Sequence, residues 1–181
     1  MPQTPFDAAH QLFIRRWGEM AASWGVSRTM AEIHALLFLS TQPLCTDDVM
    51  ERLAVSRGSA SMNLRELVRW GLISRVHRMA DRKEYFEADK DVWQMFETIS
   101  RERRRREVQP IVETIQKCLG MVEDQKGGLT AVQRREAESF QKRLNDLLEF
   151  CEMMNTLFNV MTSASRHGIK PLAKVLGKLA G

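Results

Sequence analysis

Residues 46–83 read TDDVMERLAVSRGSASMNLRELVRWGLISRVHRMADRK. Thr46 is placed to cap a short helix, with Asp47 and Asp48 in its first turn, where the positive end of the helix dipole favours carboxylates. Val49, Met50 and Leu53 recur on its inner face. Ala54-Val55 forms a turn, and Ser56 is placed to cap a second helix. On a 100° wheel Ala60, Leu64, Leu67 and Val68 share one side of that helix; Gly58, Met62, Arg65 and Arg69 fall opposite, with Ser61 at the edge. Gly71 stops it. Leu72 to His77 and Lys83 to Glu87 have strand propensity, and Met79 to Arg82 form a turn between them.

That order is the layout of a winged helix-turn-helix, so the spacing predicts a mainly α chain with a small β-hairpin wing. A recognition helix needs one apolar face to seat it and one small or polar face to enter the major groove. Ser56, Arg57, Gly58 and Ser59 offer free backbone N–H groups and hydroxyls in its first turn, where a phosphate would sit. Gly58 inside a helix costs about 1 kcal/mol relative to alanine, a cost that close backbone approach by DNA would justify. Ser61, Met62, Asn63, Arg65 and Arg69 continue the surface. Arg65 reaches far enough for a guanine edge or a phosphate. On the wing, Arg75, Arg78, Arg82 and Lys83 add cations. Arg82 is the candidate for the minor groove, oriented by its acidic neighbour Asp81.

Charge supports this reading by position rather than by amount. The whole chain carries a formal +4 over 181 residues, which permits nucleic acid without demanding it. Between Ser56 and Lys83, however, seven Arg and Lys face two carboxylates, Glu66 and Asp81. The rest of the chain is close to neutral.

Three cysteines, Cys45, Cys118 and Cys151, are scattered and odd in number, which fits a reducing compartment without a disulfide framework. The first residues lack the basic and apolar regions of a signal peptide, and no apolar run reaches the roughly 18 residues of a membrane span. A cytoplasmic location with no membrane association is expected.

The flanks read as helix. Thr4-Pro5 starts one, and Phe6, Phe13, Trp17, Met20 and Trp24 recur along it until Gly25. Ser27 caps another, ending in the apolar Ile33, Leu36, Leu37, Phe38 and Leu39, with Pro43 in the loop that follows from Ser40 to Cys45. Asp89 or Asp91 opens a helical region that Pro110 must kink or split. Thr130 to Gln133 is a capping box that opens the longest helix. Its apolar positions Phe140, Leu144, Leu147, Leu148, Cys151, Met154, Leu157, Phe158 and Met161 need a partner along their length, which argues for a dimer bundle. The segment from Pro171 to Leu179 is amphipathic and basic. Three regions follow: supporting helices over 1–44, the winged module over 45–89, and a helical dimerisation and ligand-sensing region over 90–181.

The sequence resembles the MarR superfamily of winged-helix regulators, and within it the GbsR-like branch. The resemblance rests on Trp24-Gly25, Leu37 with Pro43-Leu44, the run from Ser56 to Leu67, Trp70-Gly71-Leu72, Asp81-Arg82-Lys83 and Tyr85-Phe86. It implies a homodimer joined by terminal helices, bound to a pseudo-palindromic duplex, often with a small effector that shifts affinity; some GbsR-like members are linked to choline and glycine-betaine control. Beyond Val108 only the helical pattern is shared.

Other chemistry is less supported. Trp17, Trp24, Trp70, Tyr85 and Trp93 could wall a quaternary-ammonium cage, although aromatics at helical spacing are more often core. The run from Arg101 to Arg106 could touch phosphates or, more commonly, form a solvated face with Glu102 and Glu107. His10, His34, His77 and His167 show no metal-ligand spacing, so no metal or cofactor is expected. No phosphate loop, nucleophile elbow or paired-carboxylate motif suggests an enzyme. The competing reading is a helical protein-interaction module on a winged scaffold without specific DNA binding.

Overall fold

The computed structural model describes residues 4–78, 81–124 and 128–166, the last six as backbone only. Its elements are α1 (Pro5–Ser23), α2 (Arg28–Leu39), β1 (Leu44–Cys45), α3 (Thr46–Leu53), α4 (Arg57–Trp70), β2 (Ile73–Val76), β3 (Tyr85–Ala88), α5 (Val92–Arg103), a π-helical stretch (Arg104–Val108), α6 (Gln109–Asp124) and α7 (Ala131–Arg166). The chain divides into two compact units, 1–99 and 100–181.

In the first unit, most helix ends follow from the residues at them. Thr4 and Asp7 cap α1 reciprocally: Asp7 N–H donates to Thr4 Oγ1 at 3.1 Å, and Thr4 N–H donates to Asp7 Oδ2 at 3.1 Å. Ser27 accepts from Met30 N–H at the start of α2. Gly71 closes α4 in the left-handed region, at φ 77°. One cap differs from expectation. Cys45, not Thr46, is the residue before α3, and its N–H donates to Asp48 Oδ2 at 2.7 Å. The reason is a strand that local pattern did not reveal. Leu44 and Cys45 pair antiparallel with Phe86 and Tyr85, so the chain enters α3 directly from extended backbone.

The sheet has the order β1-β3-β2, with Ile73 opposite Ala88 and Val76 opposite Tyr85. Its inward residues Leu44, Ile73, Phe86 and Ala88 join Ile14 of α1, Ile33, Leu36 and Leu37 of α2, Val49 of α3, and Leu64, Leu67 and Trp70 of α4. Residues 1–44 and 45–89 therefore share one core. Burial of each Leu or Ile contributes about 1.5–3 kcal/mol, and the fully buried Leu64 and Leu67 fix which face of α4 turns outward.

In the second unit, a π-helical stretch precedes Pro110. Proline lacks the N–H that the helical ladder requires and crowds the carbonyl four residues before it; a widened turn relieves both. Thr130 and Gln133 cap α7, with Thr130 N–H donating to Gln133 Oε1 at 3.0 Å. Along α7, Leu144, Leu148, Cys151 and Phe158 are partly covered, whereas Phe140, Leu147, Phe150, Met154 and Leu157 are exposed. The basic segment from Pro171 to Leu179 lies outside the described residues. Among the described residues, no helix is long and apolar enough to cross a membrane.

Candidate nucleic-acid interface

Helix α4 is built to present a surface. Ala60, Leu64 and Leu67 anchor it, and Arg57, Gly58, Met62, Arg65 and Arg69 face solvent, with Ser61 half-buried at the margin. Its first turn is held by Ser56 Oγ, which accepts from Ser59 N–H at 3.2 Å. A Cβ at position 58 would meet nothing within 4 Å. The fold itself does not require glycine there.

Asn63 belongs to the scaffold rather than to the exposed face. It is buried; its Nδ2 donates to Ser59 O at 2.8 Å, and its Oδ1 accepts from Ser27 Oγ at 3.3 Å. Because Ser27 also caps α2, this amide ties the start of α2 to the recognition helix. A wheel places Asn63 at the boundary of the polar arc, and its partner 36 residues earlier is not visible in local sequence.

The remaining cations fall into two groups. Arg57 and Lys83 share one carboxylate: Asp47 lies 2.6 Å from Arg57 Nη2 and 3.1 Å from Lys83 Nζ. Hydrogen bonds from Lys83 and then Arg57 hold the Asp47 carboxyl below the usual carboxylate range. Arg69 pairs with Glu66, which also accepts from Trp70 Nε1 at 2.9 Å. Arg75 lies 3.6 Å from Glu84. Arg78 covers the Tyr85 ring at 4.3 Å and donates to Pro43 O at 3.3 Å. Arg65 and Arg82 are the exposed arginines of α4 and the wing with no ion pair, ring contact or side-chain hydrogen bond among the described residues.

Asp81 does not orient the Arg82 side chain as expected. Its carboxylate accepts from Tyr85 Oη at 2.7 Å and Lys83 N–H at 2.9 Å, contacts that shape the wing turn and lower its pKa, the tyrosine most strongly. Met79 and Ala80 lie outside the described residues.

The unit also holds a cavity of about 220 Å³, walled by Phe13 and Trp17 of α1, His34, Ala35 and Phe38 of α2, and Val92 and Met95 of α5. Of the five aromatics considered for a cage, Trp17 alone is in this wall. Trp70 is buried at the end of α4, Tyr85 lies on the wing, and Trp24 and Trp93 are about half exposed. His34 gave no signal in sequence beyond its place in an apolar helix. It is 3% exposed, and its Nε2 has no hydrogen-bond partner among the described residues. Burial first, and the charge of Lys90 second, depress its pKa to about 4. Lys90 Nζ donates to the carbonyls of Leu37, Phe38 and Ser40 at 2.7–2.9 Å, closing the C-terminal end of α2. Among the described residues, no group of three or more His, Cys, Asp and Glu is placed to hold a metal ion.

Residues 24–84 match the model of the MarR family. This segment is similar to the winged helix of that family. The match runs from Trp24 to Glu84 and so takes in α2, both helices of the helix-turn-helix and the wing up to β3. YvaV of Bacillus subtilis (strain 168), provisionally named an HTH-type transcriptional regulator, is 24% identical over 98 residues, covering 54% of this chain and 55% of its own length. The chain thus spans about half the length of that curated relative. Two solved structures align over more of the chain with low identity. One is described as a transcriptional regulator (17% identical, 83% of this chain, 98% of that one, TM-score 0.47). The other is apo MarR from E. coli (13% identical, 80% and 97%, TM-score 0.38).

Proposed function

We propose that this chain is a sequence-specific DNA-binding transcriptional regulator, acting as a homodimer and responsive to a small-molecule effector. The observation that carries the reading is the surface of α4: a small-residue first turn and the unpaired Arg65 stand beside a cationic wing, with Asp47 joining Arg57 and Lys83 across the two elements. The MarR-type match to the same segment and the name of the Bacillus relative support it. Such a protein would work in the cytoplasm on double-stranded DNA.

The homodimer is supported by α7. Phe140, Leu147, Phe150, Met154 and Leu157 recur at intervals of three, four and seven, a coiled-coil seam left uncovered by α6. A second copy of the same helix would cover it. The effector reading is supported by the apolar cavity between α1, α2 and α5, whose Val92 and Met95 follow shortly after the wing strand β3. Membership of the GbsR-like branch is supported by the residues quoted for it above.

The test is selection of preferred sequences from random duplex DNA by the purified protein, with affinity followed against salt. Enriched sites and steep salt dependence are expected from base readout and counterion release. Weak, sequence-blind, salt-independent binding would favour the protein-interaction module.

A further inference from the structure

The outward face of α4 carries a large apolar side chain among small and charged ones. Met62 is 60% exposed and stands outside the core that Ala60, Leu64 and Leu67 form. Gly58 lies one turn before it and Arg65 one turn after, on the same face of the helix. Packing of the domain gives Met62 no role there. Its thioether offers a groove only a weak acceptor and a flexible apolar surface.

We propose that α4 reads two bases directly: Met62 packs on the C5-methyl group of a thymine, and Arg65 donates to O6 and N7 of a guanine within two base pairs of it. This rests on the DNA-binding reading above and names the bases recognised. In the major groove, thymine alone presents a methyl group. Set against cytosine or adenine, Met62 would cover an amino group and leave it without a strong acceptor. Arg65 carries donors only, and guanine is the base with two acceptors on its major-groove edge. Three residues along α4 rise about 4.5 Å, close to the roughly 3.4 Å between stacked bases, so the two side chains meet nearby base pairs. Gly58 adds no side chain to hold a base edge away from Met62, and the space beside it is open.

The rest of α4 provides no reader for the other two bases. Adenine is matched by Asn or Gln, and cytosine by a carboxylate. Asn63 is the sole Asn or Gln in α4; it is buried, with Nδ2 on Ser59 O and Oδ1 accepting from Ser27 Oγ. Glu66 is the sole carboxylate of α4, and it already accepts from Arg69 Nε and Trp70 Nε1. The exposed hydroxyl-bearing margin at Ser61 can serve any base edge and discriminates none.

The test is an atom-by-atom scan of the duplex that the full chain selects from random DNA. Each thymine is replaced in turn by deoxyuridine, which removes only the methyl group. Each guanine is replaced by 7-deazaguanine, which removes only the N7 acceptor. Affinity is read by fluorescence anisotropy at fixed salt. At one thymine, deoxyuridine should cost about fourfold, the worth of one buried methyl group. At one guanine within two base pairs, 7-deazaguanine should cost on the order of tenfold. Met62→Ala should abolish the deoxyuridine penalty and keep the other; Arg65→Ala should do the reverse. Both positions are exposed, so the variants keep the fold, and the wild-type scan depends on neither. No methyl-sensitive thymine, or a penalty that persists in Met62→Ala, would overturn the thymine assignment. Tolerance of 7-deazaguanine throughout, or a penalty that survives Arg65→Ala, would overturn the guanine assignment. Either failure on an enriched site leaves the regulator reading standing, whereas a selection that enriches no sequence overturns both.

Discussion

The carboxylate of Asp47 at the start of α3 lies 2.6 Å from the guanidinium of Arg57 at the start of α4. The other oxygen of the same carboxylate reaches Lys83 on the wing at 3.1 Å. Two cations that would face phosphate are thereby held on one acidic residue, which sets the spacing of helix and wing before any duplex arrives. It also opposes DNA, because the carboxylate must give up or share both partners.

Asp47→Asn should therefore tighten duplex binding at low salt. Freeing two cations would steepen the slope of log K against log salt by up to about 1.8, at roughly 0.9 per neutralised phosphate. Fluorescence anisotropy across a salt series checks this, and an unchanged slope would argue that Arg57 and Lys83 do not face the backbone. Because the Asp47 pKa is lowered in the fold, its ion pairs persist at neutral pH and are lost only as pH falls through that depressed value.

Arg65 and Arg82 are exposed and have no side-chain partner among the described residues. Arg65→Ala and Arg82→Ala should each weaken binding to a selected site by about 1–3 kcal/mol, while sedimentation shows the same oligomeric state as wild type. A change in sequence preference would mark base readout; a uniform loss, with a shallower salt slope, would mark a phosphate contact.

Gly58→Ala separates folding from binding. Open space surrounds the position, and alanine is the better helix former by about 1 kcal/mol in a helix interior. The melting temperature should hold or rise while duplex affinity falls. An affinity equal to wild type would show that nothing approaches the backbone there.

His34 should impose a pH dependence on stability. Its folded pKa near 4 lies below the ordinary 6.5, so the unfolded chain binds a proton between those values and the folded chain does not. Stability is complete above pH 6.5 and declines as pH falls toward 4, by about 3 kcal/mol at most at 1.36 kcal/mol per pKa unit. In denaturant unfolding from pH 7 to 4.5, His34→Phe should flatten this decline relative to wild type. A parallel slope in both proteins would assign the effect to other groups.

The core of this design was legible because its signals are local. Ser56 and Gly71 bracket the recognition helix, and the period of Ala60, Leu64 and Leu67 orients it. The strand β1 was not, since two residues pairing with a strand 40 positions later leave no periodicity. The same holds for Asn63, whose polar side chain suggests a surface contact until Ser27 is seen beside it. Asp47 read as a dipole-compensating residue, and only the folded chain shows the two cations on it. His34 and Lys90 were hidden for another reason: a lone histidine in an apolar helix and a lysine after a strand carry no pattern of their own.

The regulator reading is tested most directly by selecting binding sites from random duplex DNA and measuring the spacing of the enriched half-sites. Two recognition helices in a homodimer predict a pseudo-palindrome with half-site centres about 34–36 Å apart, one helical turn, or a multiple of it. Random sequence emerging from the selection, with affinity insensitive to salt, would contradict it.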